Sequence, residues 1–257
     1  MLSLTVARKA YAQNLLYRSA HIMRTIASIA IGYVYACIWI GVGDNQSLGQ
    51  YGMYGMLSYI AFNQACLWTI FTTNSLGIDG LVRTGQISVE LMRPLPFFTY
   101  MASKEFGKIY YQFLYATIPI YLVYMLLLGI RIPERPETWL WTLLAIFFGA
   151  YISMCISYVI GVVALWTTES RWLGSLNWSV SSLLSGFFIP IEWLPGWLRP
   201  ISMFSPYPCL QYIPTRLYME MNGPSTLIIS ASWSIALTLL SIALTRILRR
   251  RLEVQGG

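Results

Sequence analysis

Charge is what this sequence has least of. Of its 257 residues 11% are Asp, Glu, Lys or Arg, while 56% are hydrophobic and 15% aromatic; a soluble domain carries about 25% charged residues. A chain held in water by its own surface is thereby excluded. Histidine occurs once, as His21, and cysteine four times, as Cys37, Cys66, Cys155 and Cys209. No CxxC pair is present, so no metal motif, redox motif or disulfide framework is visible, and the cysteines read as small buried hydrophobes. An intramembrane serine protease needs a base beside its nucleophile, and Leu183-Leu184-Ser185-Gly186 lacks both the base and a glycine two residues before the serine. A phosphate-binding loop is missing too, because Gly107-Lys108 runs into Ile109 and Ala102 stands where the first glycine belongs. The chain therefore carries no catalytic or ATP-binding motif and is expected to be no enzyme. Repeats, low-complexity tracts and linkers are also lacking, so residues 1–257 read as a single membrane domain.

What is present is a series of long apolar runs, at 22–42, 51–70, 110–129, 139–166, 173–190 and 225–245. A run of about 20 residues spans the hydrocarbon core at about 1.5 Å per residue, so the expected fold is all-α with six transmembrane helices. The first run starts too far in, and is too long, for a cleaved signal peptide. Trp139, Trp141, Trp166, Trp172, Trp193 and Trp197 lie near run ends, where an indole rests at the headgroup level. Apart from Arg24, near one end, the runs are almost free of ionisable residues. Ion-coupled carriers, proton relays and acidic-ring pores place such residues inside the membrane, so those classes are disfavoured.

The net charge of +7 does not signal nucleic acid, whose binders gather Lys and Arg on a wet face; here they flank apolar runs. With the N-terminus in the cytoplasm, thirteen of the 17 Lys and Arg fall on inside segments, while the ten acids divide evenly. The positive-inside rule then puts both termini in the cytoplasm. Residues 1–21 precede the first run with Leu4, Ala7, Tyr11 and Leu15 on one helical stripe and Lys9 and Gln13 roughly opposite, the pattern of an amphipathic helix lying in the lipid interface. The longest inside connection, 78–108, holds Arg83-Thr84-Gly85 and then Glu90-Leu91-Met92-Arg93-Pro94-Leu95-Pro96. A short helix closed by Pro94 and Pro96 is expected there, with Glu90 and Arg93 spaced to pair at i, i+3. Pro119, inside the third run, frees a backbone carbonyl and is expected to kink its helix.

Between the fifth and sixth runs, 187–224 is too apolar for an ordinary loop. It is also too rich in proline, at Pro190, Pro195, Pro200, Pro206 and Pro208, for a straight helix. Irregular backbone at membrane depth needs protein or a wet cavity around it, so broken helices re-entering from the outer face are expected. The Asn45-Gln46-Ser47 sequon is read as chance.

Several of these pieces together resemble a known family. They are the basic amphipathic start, Arg83-Thr84-Gly85 with Leu91 and Arg93-Pro94-Leu95-Pro96, Trp166-Thr167-Thr168-Glu169-Ser170, and Ser185-Gly186 with Pro190, Leu194-Pro195 and Leu198. The chain resembles an ABC transporter permease of the type-two (ABC-2-like) exporter family over nearly its whole length. The resemblance implies a membrane-spanning subunit in the plasma (inner) membrane, with the path between this chain and a second copy or a sister permease. It implies a dimer of separate ABC ATPase subunits that binds the ATP and Mg, with no cofactor in this chain. A coupling helix seated in each ATPase falls on Gly85, Glu90, Leu91, Arg93 and Pro94. Phe62, Asn63, Trp68 and Phe187 are the expected path residues. Partners are then the ATPase, a permease copy and membrane lipid, and not nucleic acid. A mostly aromatic path suits an amphiphilic or cationic hydrophobic substrate, since aromatic faces attract cations. On the residues alone two alternatives stay open: an ion-coupled secondary carrier or channel within one chain, and a lipid enzyme built on Glu169 and Arg171.

Overall fold

Apolar runs in a medium without water must satisfy their backbone groups internally, and every regular element described is helical. The computed structural model describes residues 2–16, 18–44, 47–71, 74–167 and 171–255. Asn45, Gln46, Thr168, Glu169, Ser170, Gly256 and Gly257 lie outside them, as do the side chains of Arg18, Trp166 and Arg171. In chain order the helices are α1 (Leu2–Leu16), α2 (Arg18–Gly43), α3 (Gly52–Ile70), α4 (Ile78–Arg83), α5 (Ile87–Leu91), α6 (Phe97–Gln112), α7 (Ile118–Leu128), α8 (Pro136–Thr167), α9 (Arg171–Leu184), α10 (Leu198–Phe204), α11 (Tyr212–Tyr218) and α12 (Leu227–Gln255).

Four stretches are long and apolar enough to cross a membrane: His21–Gly43, Phe97–Leu128, Pro136–Val163 and Pro224–Ile247. They cover the first, third, fourth and sixth expected runs. The second run forms α3, whose 19 residues include Asn63 and Gln64 and of which fourteen are buried. Enclosed by protein, α3 has no need to be apolar all round. The fifth run forms α9, which stops after 14 residues at Leu184, because Gly186 turns the chain at φ +76°, a left-handed conformation open to glycine.

Around the central α3 stand α2, the α6–α7 pair, α8 and α11. Tyr59, Phe62, Cys66 and Ile70 join Phe97, Met101, Tyr158 and Tyr218 in one buried cluster. The third apolar run starts earlier than its composition suggests. Helix runs from Phe97, broken only by a π turn at Phe113–Thr117. Pro119 has no N–H to offer the carbonyl four residues back, and that carbonyl, on Tyr115, accepts a hydrogen bond from His21 Nε2 at 2.7 Å. The kink expected at Pro119 is thus taken up as a π bulge, and the lone histidine of the chain satisfies the freed oxygen.

Helix α1 lies along α6. Its seam is shifted from the expected stripe: Ala10 is buried and Leu4 exposed, while Ala7, Tyr11 and Leu15 are half-buried. The reason is Gly107 on α6, where any side chain would run into the Ala7 carbonyl. Two helices meeting through Ala7, Ala10 and Gly107 come too close for leucine, so Leu4 turns outward while Tyr11 packs on Tyr110 and Tyr111 at 5.7 and 5.9 Å.

Candidate functional site

The largest described cavity, about 660 Å³, lies between α2, α3 and α9. That volume is in the range that takes small ligands, about 300–1,000 Å³. Helix α2 makes room for it by packing through small residues: Ser28, Gly32 and Ala36, one turn apart, are its buried positions. Against them lie Gln64, whose Nε2 donates to Ser28 Oγ and the Ser28 carbonyl at 3.0 and 3.2 Å, and Tyr124, whose hydroxyl donates to the Ser28 and Ile29 carbonyls. The face of α2 that carries Arg24, Ser28, Ile31 and Tyr35 borders the cavity.

A continuous aromatic wall closes the other side. Phe71 meets Trp178 at 4.9 Å and Phe187 at 6.2 Å, Phe187 meets Phe188 at 4.8 Å, and Phe188 meets Tyr35 at 5.6 Å, all edge to face. At the Arg24 end, the guanidinium sits 5.0 Å over the Trp68 ring. Gln64 Oε1 and Trp68 Nε1, one turn apart on α3, are buried with no hydrogen-bond partner.

Of the four expected path residues, the cavity takes in Trp68 and Phe187. Phe62 and Asn63 stand inside the protein's own packing. Phe62 stacks on Tyr218 at 4.2 Å. Asn63 is spent on structure: its Nδ2 donates to the Gly186 and Phe187 carbonyls at 3.1 and 3.2 Å, and its Oδ1 accepts from the Thr215 hydroxyl at 2.5 Å. Tyr59 donates to the same Gly186 carbonyl. The irregular backbone after α9 is therefore pinned to the middle of α3. The freed carbonyls at the end of α9 are met as well, Leu184 by the Ser202 hydroxyl and Ser185 by the Tyr212 N–H.

Sequence reasoning missed the ion pair that locks this segment. Glu192 binds Arg216, accepts from Tyr212 at 2.8 Å, Gln50 at 3.2 Å and Tyr51 at 3.3 Å, and Arg216 reaches Asn222 at 2.9 Å. Both charges were visible on outside segments, but 24 residues of broken chain separate them and no periodicity links them.

At the other end of the molecule, α4 and α5 are joined by a turn in which Gly85 takes φ +71°. Helix α5 ends at Leu91, and Pro96 stands immediately before the first residue of α6. Glu90 and Arg93 pair bidentately, Nε to Oε2 at 2.5 Å and Nη2 to Oε1 at 2.9 Å. Those bonds from Arg93 hold the Glu90 carboxyl below the usual carboxylate range, and the guanidinium also covers the Tyr100 ring at 4.8 Å. Leu91 packs on the core, while Val89 and Met92 are exposed. Pro94 and Arg93 line a groove of about 420 Å³ with Lys9 and Gln13 of α1 and Tyr100 and Lys104 of α6. Among the described residues no cluster of His, Cys, Asp or Glu suits a metal ion.

A family model described as ABC-2 family transporter protein matches residues 27–256. No curated protein and no solved structure matches the chain.

Proposed function

The chain belongs to the ABC-2 transporter family, whose members are multi-pass membrane permease components of ABC transporters and are not themselves catalysts, and from that premise we propose that it is the permease of an ATP-driven exporter. The observation that carries the proposal is the family match over residues 27–256; the cavity and the cytoplasmic groove support it.

Two copies, or this chain and a sister permease, enclose the path in the plasma membrane, with both termini in the cytoplasm. Helices α3 and α9 complete six crossings, α3 sheltered by its neighbours and α9 short because the segment after it re-enters the membrane. Trp68 and Phe187 border the path, and Asn63 and Phe62 support it from behind by fixing the re-entrant backbone. Phe187, Phe188 and Tyr35 close the cavity toward the outer face, and Glu192 with Arg216 holds the external segment shut.

Separate ABC ATPase subunits bind ATP and Mg²⁺ and dock on Gly85–Pro94 and α1. A partner shifts an inward/outward equilibrium only by contacting the two states differently, so the contact must be stiff. The Glu90–Arg93 pair, Pro94 and the Arg93–Tyr100 stack supply that stiffness, and Val89 and Met92 offer exposed apolar area for the ATPase.

Purification of the tagged chain from its native membrane in mild detergent, with mass spectrometry of what accompanies it, tests the proposal. A stoichiometric ABC ATPase is the expected result. Recovery of the chain alone, active in vesicles without nucleotide and responsive to an ion gradient, would overturn it in favour of a secondary carrier.

A further inference from the structure

We infer that the cavity between α2, α3 and α9 selects an anionic amphiphile, a molecule with one carboxylate or phosphate head and an apolar body, with the head at Arg24 and the body against the aromatic wall. The inference rests on reading this cavity as part of the export path.

An aromatic lining alone favours cations, and here that preference is already met by the protein. The Arg24 guanidinium occupies the Trp68 face at 5.0 Å. No other charged residue among those described lines the cavity. The chain's described carboxylates near this end are committed elsewhere: Asp79 to Arg83, Glu90 to Arg93 and Glu105 to Lys108. Asp44 lies past the far end of α2, about 30 Å away at 1.5 Å per residue. Arg24, itself exposed at the mouth of the cavity, is therefore the one described charge on its lining, and a cationic guest would meet a like charge there.

The donors at this end agree in sign. Arg24 has guanidinium N–H groups to spare, and Trp68 Nε1–H, a group that can only donate, is buried without a partner. An oxyanion accepts from Arg24 as the structure stands, and from Trp68 once its ring edge turns to the cavity; an ammonium accepts from neither. From Arg24 to Tyr35 the cavity rises along α2 by about 16 Å, and everything past Ser28 on its walls is apolar or aromatic except the Tyr35 hydroxyl and the Trp178 indole N–H. A head at one end and a body along the rest is the orientation an amphiphile has in the leaflet at the Arg24 end.

The full-length chain in nanodiscs of neutral lipid is titrated, at mildly alkaline pH, with three probes of equal tail: a terminally brominated undecanoate, the matching undecyl trimethylammonium and the matching undecanol. Bromine quenches nearby tryptophan, and Trp68 and Trp178 border the cavity. The carboxylate is expected to bind roughly tenfold more tightly than the ammonium, the size of one charge-assisted hydrogen bond. Arg24→Gln should weaken the carboxylate by roughly tenfold and leave the alcohol unchanged, Arg24→Lys should keep most of the preference, and Trp68→Phe should remove much of the saturable quench. Unchanged alcohol binding also reports that the Arg24 variants are folded. Equal or tighter binding of the ammonium, an unchanged carboxylate affinity in Arg24→Gln, or no saturable quench by any probe overturns the inference. The assay uses neither ATP nor a partner, so its failure leaves the exporter reading to the co-purification result, and failure of that result leaves this binding intact.

Discussion

Glu192 and Arg216 are among the few charges taken out of solvent, with side chains 17% and 13% exposed. Breaking a buried pair by removing one partner costs about 3–5 kcal/mol, because the other charge stays behind unpaired. Here three hydroxyl or amide donors would remain on Glu192, so Arg216→Met should cost about 2–4 kcal/mol. Glu192→Gln should cost less, since an amide keeps an oxygen for Tyr212 and Tyr51. The double variant should lose clearly less than the two single losses added, and a double-mutant cycle on unfolding in detergent reads the coupling. Simple additivity would mean that the pair contributes nothing to holding the external segment. Glu90 with Arg93 differs in kind. Its guanidinium side is 45% exposed, so solvent screening leaves the pair little to add to stability, and its value lies in shaping the turn before Pro94.

Packing between α1 and α6 depends on one position. A side chain at Gly107 would meet backbone, the Ala7 carbonyl, and not the end of a flexible neighbour, so the two helices must part to admit it. Gly107→Val should destabilise by about 1–3 kcal/mol, the usual cost of overpacking, and should act locally. Protease access to α1 and hydrogen exchange along residues 2–16 would rise, while protection of α8 and α12 would hold. Loss of protection throughout the chain would show that α1 is part of the central core. This seam also marks where sequence reading ran out. Apolar periodicity located the helices, the proline-closed turn at 91–96 and the Pro119 irregularity, since each follows from local backbone chemistry. It gave α1 the stripe Leu4, Ala7, Tyr11 and Leu15, because periodicity weighs leucine above alanine; the close approach at Gly107 buries Ala10 and leaves Leu4 exposed. The same limit applies to Asn63, which reads as a polar path residue in an apolar run, and whose bonding to Gly186 and Thr215 depends on segments more than 120 residues away.

At the scale of the molecule, α2 is the least covered by its own chain of the four helices long enough to cross a membrane. The apolar window in His21–Gly43 is 17% buried, against 56% for Pro136–Val163, and Ile26, Ile31, Val34 and Ile38 are all exposed. Lipid covers such a face as well as protein does, so exposure alone does not choose between them. The cavity's walls come from α2, α3 and α9, and on the proposed reading of it as the path, excluding lipid needs a further wall on the open side. A second permease supplies it if the cavity face of α2 is turned toward the partner. Ile38 lies about one turn past Tyr35 near that face, whereas Cys37, the exposed native cysteine, is displaced by about 100° around the helix. With Cys37 replaced by serine, Ile38→Cys should cross-link to a dimer through a short bismaleimide in native membranes. Cys37 in the unaltered chain should take up a monofunctional maleimide yet give little dimer. Cross-linking through Cys37 and not through position 38 would put the opposite face of α2 at the interface and leave the cavity open to lipid. Failure at both positions would place the partner on another helix altogether.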